Sequence, residues 1–371
     1  MKVAIVHDYL KEYGGAERVV ETLLEIWPDA DIYTSVFLPE YAGPHRKRVE
    51  KWKVHASCLQ NIPLKAKLIS MFRFVAPMVF RSFDLSDYDV VITSTAGTYT
   101  SPNFVKIGKK TKLICYCHTP PRYLYGYPVA NDWTNSWWRR ALLVMGKIPM
   151  YFLRKLDFKS AQLPDYFIAN SKEVAGRIKK FYKRDAIVIY PPVEIPKVDL
   201  KNKESRDYYL VGGRLARAKR TDLVIEVCNK LKLPLKIFGR GFGGYEEYLK
   251  SMIGPTVEFL GEVTEDVKWN LYRNAKAFLY PTEMEDFGIQ AVEAMAAGTP
   301  VIALAQGGPL ETIVEGKTGL FFNELTPESL ADAVRKFEKM KFNSQDCITQ
   351  AKKFSKSRFK REIAEYITKH A

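Results

Sequence analysis

Two carboxylates eight residues apart, Glu285 and Glu293, frame a segment with the means to hold a polar ligand. The pattern predicts a helix over residues 287–297, closed by Gly298, a residue suited to a left-handed exit. Glu285 then stands just before the helix and Glu293 falls on its second turn. Residues three, four, seven and eight apart lie on related helix faces, so both carboxylates can reach one ligand across the helix start. The N–H groups around Phe287, Gly288 and Ile289 would face a phosphate, and Gly288 permits close approach to the backbone. Taken alone, this spacing more often marks an acidic helix start with one solvated glutamate.

Other positions add chemistry of the same kind. Arg214, Arg217, Lys219 and Arg220 put four cations within seven residues, just after Gly212 and Gly213 at the end of a predicted strand, residues 208–211. Arg suits bidentate phosphate contact and Lys serves as a point charge, although a solvated basic loop has the same composition. His118 follows a predicted strand over residues 112–117, and ligands of parallel sheets bind beyond the carboxyl ends of strands. Gly14 and Gly15 sit between a strand and a helix, an arrangement that also serves as a plain tight turn. The run Gly239 to Gly244 lets a backbone approach a nucleotide, but it lacks the later acidic ribose partner of a dinucleotide fingerprint.

The elements that must position these residues alternate. Strands are predicted over residues 2–6, 32–36, 89–94, 112–117, 166–170 and 187–190, then over 208–211, 235–238, 257–260, 277–280, 301–304 and 320–321. Helical patterns separate them, among them residues 16–27, 171–181 with Ser171 as cap, 221–231, 326–340 and 358–369. Alternation of this kind implies parallel sheets with crossover helices.

At 371 residues, two domains are expected, each able to bury a core. The boundaries read as a first domain over 1–190, a Pro-rich then charged linker over 191–205, and a second domain over 206–355, with residues 356–371 forming a closing helix. The five cysteines are scattered without a C-x-x-C pair, which fits reduced thiols in a cytoplasmic protein. No signal peptide or bilayer-spanning run is expected.

The net charge of +15 is unevenly placed: residues 1–198 carry 30 Lys+Arg against 18 Asp+Glu. A basic half points to an anionic partner, and plain solubility has the same signature. Residues 51–83 interleave Leu64, Met71, Phe72 and Val79 with Lys65, Lys67, Arg73 and Arg81. They read equally as a basic amphipathic helix pair on an anionic bilayer or as helices packed on the sheet with snorkelling cations. A second such stretch, residues 137–155, favours the membrane surface. The triplets DAD (29–31) and DYD (87–89) flank helix ends and strand starts and are read as structural, so no metal site is expected.

The string E-D-F-G-I-x-x-V-E-A-M-A-A-G-T-P-V-I-A with the following G-G resembles the donor-site signature of retaining glycosyltransferases of family 4. The resemblance extends to HDYLKEYGGAER near the start, to CYCHTPPRYLY around His118 and to G-G-R-L-x-x-x-K-R-x-D-L. It implies the GT-B fold, two Rossmann-like domains with parallel sheets facing across an interdomain cleft. The first would be the acceptor side and the second the nucleotide-sugar donor domain. Residue by residue, it implies that Glu285 holds the hydroxyls of the donor sugar and Glu293 the ribose. Arg214 and Lys219 would clamp the diphosphate and His118 would contact the sugar. Gly14, Gly15, Gly213, Gly239, Val263, Phe287, Gly288 and Ile289 would line the donor site. No cofactor is then required. The segments around His7 and His118 look most like GDP-mannose-dependent O-antigen-type mannosyltransferases, which implies GDP-mannose as donor and a lipid-linked or oligosaccharide acceptor. The protein would be cytoplasmic, at the inner face of the membrane.

Three alternatives stay open at this point. The same fold serves UDP-glucose and other UDP-sugar donors. A sugar-nucleotide epimerase would turn over donor alone. A non-catalytic nucleic-acid-binding protein fits the charge, but no aromatic RNA-binding motif, zinc finger or helix-turn-helix pattern is present, so no nucleic-acid partner is expected.

Overall fold

The structure is a computed structural model that describes residues 1–99, 101–127, 147–196 and 206–371. Two compact units emerge. The first takes in Met1–Tyr127, the described part of Thr134–Pro192, and Ser357–Ala371; the second takes in the described part of Val193–Lys356.

The first unit holds a seven-stranded parallel sheet in the order Val54–Ala56, Asp31–Thr34, Val3–His7, Val90–Thr95, Lys112–Cys117, Tyr166–Ala169, Ile187–Val188. The chain lays strands outward to one side of Val3–His7 and then restarts on the other with Val90–Thr95. Between these two strands lies the topological switch point, where a doubly wound sheet opens a crevice at its carboxyl edge. Alternate side chains of the first strand feed opposite cores. Val3 and Ile5 pack with Val19, Val20 and Leu23 of the helix Gly15–Ile26 and with Phe359, Ile363 and Ile367 of the helix Lys356–His370. Ala4 and Val6 pack with Phe72, Val79 and Phe80.

The second unit repeats the plan with six parallel strands in the order Val257–Gly261, Leu235–Gly241, Tyr208–Leu215, Ala275–Tyr280, Val301–Leu304, Gly319–Phe322. Its switch point falls between Tyr208–Leu215 and Ala275–Tyr280. One face of this sheet is covered by the helices Thr221–Leu231 and Pro327–Glu338 through Leu223, Val224, Val227, Leu330, Val334 and Phe337.

Several expectations change. Residues 51–83 are not a helix pair. They form the edge strand Val54–Ala56 and then short helical turns, Cys58–Asn61, Lys65–Leu68, Phe72–Phe74 and Ala76–Arg81. Pro63 and Pro77 interrupt any continuous helical ladder, and Leu64 takes a left-handed conformation at φ 56°. The strand starting at Tyr208 does not stop before the glycines but runs through Gly212, Gly213 and Arg214 to Leu215. The helix after Glu285 is shorter than predicted, Ile289–Ala296, because Gly288 is its cap at φ 91°. Helices Tyr245–Ser251, Glu265–Asn274 and Ser344–Lys352 lack a strong apolar period and are absent from the sequence reading. Of the expected linker, residues 197–205 lie outside the described residues, as do residues 137–146 of the second basic stretch.

Candidate active site

In the second unit the switch point gathers charge. The Lys219 ammonium lies 2.5 Å from Glu285 Oε2, and the Tyr280 hydroxyl donates to the same oxygen at 2.9 Å. Tyr280 is the last residue of its strand and is buried. Burial and then the Glu285 charge push its hydroxyl well above the usual phenol range, so it acts as a donor at neutral pH. Lys219 closes a single 3-10 turn, Arg217–Lys219, hung from the strand end. The backbone N–H of Glu283 bonds the Ala218 carbonyl at 3.1 Å and ties the two loops together.

Both flanks of this cluster are held in a conformation that side chains rarely adopt. Arg220, next to Lys219, has φ 51°, and Met284, next to Glu285, has φ 49°. Such residues persist only where the surroundings over-determine them, and they concentrate at functional sites. Gly307 and Gly308 explain how the Glu285 loop is gripped. A Cβ on Gly307 would stand 2.2 Å from the Glu285 carbonyl oxygen and one on Gly308 would stand 2.3 Å from the Phe287 Cα. The Gly308 N–H bonds that same Glu285 carbonyl at 2.9 Å.

The other predicted positions of this unit are placed as follows. Arg214 is exposed on the extended strand, opposite Arg240 in register. Gly213 and Gly239 face each other across two strands so closely that a Cβ on Gly239 would stand 1.8 Å from the Gly213 carbonyl oxygen. Both glycines are thus required by the close packing of these two strands. Val263 lies in the turn between the strand ending at Gly261 and the helix capped by Thr264. Phe287 is buried edge-on against Phe354, and Gly288 and Ile289 form the start of the helix.

Glu293 is 2% exposed. Its carboxylate is bonded by Lys268 Nζ at 3.2 Å and the Tyr272 hydroxyl at 3.4 Å, whereas Glu285 is bonded by Lys219 and Tyr280. The two glutamates therefore sit in separate hydrogen-bond clusters. Lys268 and Tyr272, four apart on one face of Glu265–Asn274, are not among the positions expected from the sequence. The Thr264-Glu265-Asp266 start of that helix was the available signal.

In the first unit the switch point holds His7 and Ser94. His7 Nδ1 lies 2.9 Å from the Ser94 carbonyl oxygen, and Ser94 Oγ lies 2.9 Å from His118 Nε2. His7 Nε2 faces Glu17 at 3.5 Å, and Glu17 also accepts from the Gly14 N–H at 2.8 Å. Gly14 caps the helix that opens with Gly15. His118, Gly14 and Gly15 are the positions expected from the sequence; His7, Glu17 and Ser94 are additional, with His7 and Ser94 at the carboxyl ends of the two central strands. Asp8 is fully buried and accepts from the Thr98 N–H at 3.0 Å.

Asp31 of the DAD triplet is paired with Lys53 at 2.5 Å and accepts from Tyr88 at 2.6 Å. Burial opposes the charge, but bonds from Lys53, Tyr88 and His55 hold its carboxyl down at about 2. Among the described residues no group of three or more His, Cys, Asp or Glu is placed to hold a metal. No described helix is long and apolar enough to cross a membrane.

Two family models match this chain. The Glycosyltransferase Family 4 model covers residues 13–196 and the Glycosyl transferases group 1 model covers residues 194–354. The chain belongs to the family 4 glycosyltransferases. It is an enzyme of the GT-B class.

Among relatives of this glycosyltransferase is the mouse (Mus musculus) alpha-1,3/1,6-mannosyltransferase ALG2, 26% identical over 96% of this chain and 93% of the relative. An uncharacterized glycosyltransferase of Methanocaldococcus jannaschii, MJ1178, is 28% identical over 46% of this chain and 48% of its own. Solved structures of the same fold include Anabaena Alr3699/HepE in complex with UDP, with a TM-score of 0.70 at 17% identity and full coverage of both chains. Sucrose-phosphate synthase from Thermosynechococcus elongatus has a TM-score of 0.73 at 16% identity, covering 100% of this chain and 99% of that one.

Proposed function

We propose that this glycosyltransferase moves mannose from GDP-mannose, with retention of configuration, to a lipid-linked or oligosaccharide acceptor. The observation that carries the reading is the Lys219–Glu285–Tyr280 cluster at the switch point of the second sheet. A carboxylate is acceptor-only and takes hydrogen bonds from sugar hydroxyls. Beside a diphosphate it needs a cation on it, which Lys219 supplies. Arg214, Lys219 and the N-terminus of Ile289–Ala296 are assigned to the diphosphate, Glu285 to the sugar hydroxyls and Glu293 to the ribose. Main-chain groups at Gly213, Gly239, Val263, Phe287 and Gly288 are assigned to the rest of the nucleotide, and Gly14 and Gly15 to the donor from the first unit. The first unit is read as the acceptor side.

In the step itself, the bond between the anomeric carbon and the phosphate oxygen breaks with oxocarbenium character. The acceptor oxygen bonds to the anomeric carbon on the same face, and its proton passes to the leaving phosphate oxygen. Charge growing on that phosphate is met by preorganised cations, so the step as written needs no metal. His118 is assigned to an oxygen of the sugar.

The choice of mannose rests on the ALG2 relatives, which are alpha-1,3/1,6-mannosyltransferases. The HepE structure with UDP supports a second reading with a UDP-sugar donor. The five free cysteines, four of them buried, suit a reducing compartment and support the reading of a reaction on the cytoplasmic side. Exposed Tyr151, Phe152 and Phe158, interleaved with Lys155 and Lys159, suit an anionic membrane surface there.

Calorimetric titration with GDP and with UDP tests the donor, followed by product analysis with GDP-mannose and a polyprenyl-diphosphate-linked oligosaccharide. Binding of GDP in preference to UDP, together with a mannosylated product, is expected. A preference for UDP would keep glycosyl transfer and remove mannose from the proposal.

A further inference from the structure

We infer that a hydrogen-bond chain from Glu17 through His7 and Ser94 holds His118 as the tautomer protonated on Nδ1, so that His118 meets a ligand as a hydrogen-bond donor. The role follows by elimination along the chain. A carbonyl oxygen only accepts, so the 2.9 Å contact between His7 Nδ1 and the Ser94 carbonyl requires a proton on His7 Nδ1. At the other side of the ring, His7 Nε2 faces the Glu17 carboxylate at 3.5 Å. Burial disfavours charge on His7, but the hydrogen bond and charge of Glu17 outweigh it and raise the imidazole above its ordinary value. Burial works against charge on Glu17 too, yet His7 and the Gly14 N–H pull its carboxyl below the ordinary value. The carbonyl contact thus fixes a proton on His7 Nδ1, and the Glu17 carboxylate facing Nε2 favours a second one there.

Ser94 Oγ lies 3.1 Å from that protonated Nδ1 and 2.9 Å from His118 Nε2. Among the described residues these are its two side-chain partners, and one of them offers only a proton. Were His118 Nε2 protonated, the buried Ser94 hydroxyl proton would have no side-chain acceptor among the described residues, which is costly, so the proton is directed at Nε2 and Nε2 carries the lone pair. A neutral imidazole has one proton, and it goes to Nδ1. His118 stays neutral because burial, and then the nearby His7 charge, push it down to about 3. Among the described residues no side-chain hydrogen bond uses its Nδ1.

His7, Ser94 and Glu17 are on this account positioning residues, and their value to catalysis rests on the assignment of His118 to a sugar oxygen. The tautomer itself does not, and it is read without any ligand. The test is a two-bond proton–nitrogen correlation spectrum of the ligand-free, ¹⁵N-labelled full chain at neutral pH. The five histidines give few signals, and His7→Gln and His118→Gln assign the two that matter. His118 is expected to show a protonated Nδ1 and a bare Nε2, and His7 two protonated nitrogens. In Ser94→Ala the His118 pattern is expected to move toward a protonated Nε2. A wild-type His118 protonated on Nε2, a His7 with a bare Nδ1, or a Ser94→Ala variant with an unmoved His118 pattern would each overturn the inference. The first two readings are taken on the wild-type chain, and the two Gln variants serve only to assign its signals.

Discussion

Lys219 Nζ stands 2.5 Å from Glu285 Oε2, although 66 positions separate the two residues. Both lie at the carboxyl edge of neighbouring strands, and each is reached through a backbone held in an unusual conformation. The pair is partly exposed, at 27% and 14% of the side chains, so its contribution to stability is small, about 1 kcal/mol or less. Its expected worth is in turnover. Lys219→Met and Arg214→Ala should each lower kcat at saturating donor roughly 10²–10³-fold, the usual loss when one preorganised charge partner of a transition state is removed. Lys219→Met and Glu285→Gln combined should fall less than the product of the single losses, because the residues act together. Steady-state kinetics of the three single variants and the double variant, each with an unchanged melting temperature, checks this; retention of most turnover in Lys219→Met would remove Lys219 from the diphosphate.

Glu293 carries a second prediction because it has two duties. Glu293→Ala leaves Lys268 buried beside Tyr272, with Glu265 at 2.8 Å as its remaining anion. Breaking a buried pair costs roughly 3–5 kcal/mol, and the half-exposed Glu265 brings this case to the low end. Adding Lys268→Met should recover the melting temperature without recovering GDP binding by calorimetry. Recovery of both would reduce Glu293 to a structural residue.

Asp157 supplies a pH dependence. Burial pushes its carboxyl up to about 7, against the opposing hydrogen bonds of Tyr125 and Tyr182. Because the folded chain holds this proton more tightly than the unfolded chain, its stabilising contribution is present at low pH. That contribution is lost as pH rises from about 4 to about 7. Asp157→Asn should therefore raise the melting temperature at pH 8 relative to wild type by more than at pH 4. Melting curves at the two pH values decide it, and an equal shift at both would remove Asp157 as the titrating group.

Membrane contact is tested on the helix Lys147–Ser160. Phe152 is 59% exposed and Tyr151 52%. Tyr151→Asp with Phe152→Asp should weaken co-flotation with vesicles containing phosphatidylserine, while leaving GDP affinity unchanged. Binding of the wild type should fall with added salt, since juxtamembrane cations contribute about 1 kcal/mol each near an anionic surface. Wild-type protein that ignores such vesicles would end the membrane reading.

Much of the framework was legible because its signals are local. Buried parallel strands write themselves as short apolar runs such as Leu113 to Cys117, and capped helices announce themselves through Ser171 or Thr326. Glu285, Lys219 and His118 each follow a strand end, but their roles came from the resemblance of the strings around them to the family 4 glycosyltransferases. Partners set by distant pairing were not legible. Ser94 looks like any strand residue until 24 positions later His118 meets it, and Lys268 is an ordinary surface lysine until its helix turns it onto Glu293. Gly213 and Gly239 stand just beyond the predicted strands because the apolar runs end there, whereas both strands continue through them.

The helix Lys356–His370 returns Phe359, Ile363 and Ile367 to the core begun by Val3 and Ile5. Synthesis on the ribosome runs from the first residue to the last, and domains ordinarily fold in that order. Here the first sheet emerges early with an apolar stripe uncovered, while Val193–Lys356 can assemble as soon as it has left the exit tunnel. The segment made first is thus the one completed last, and a nascent chain stalled anywhere before residue 367 would present an unfinished core to the chaperones that meet it.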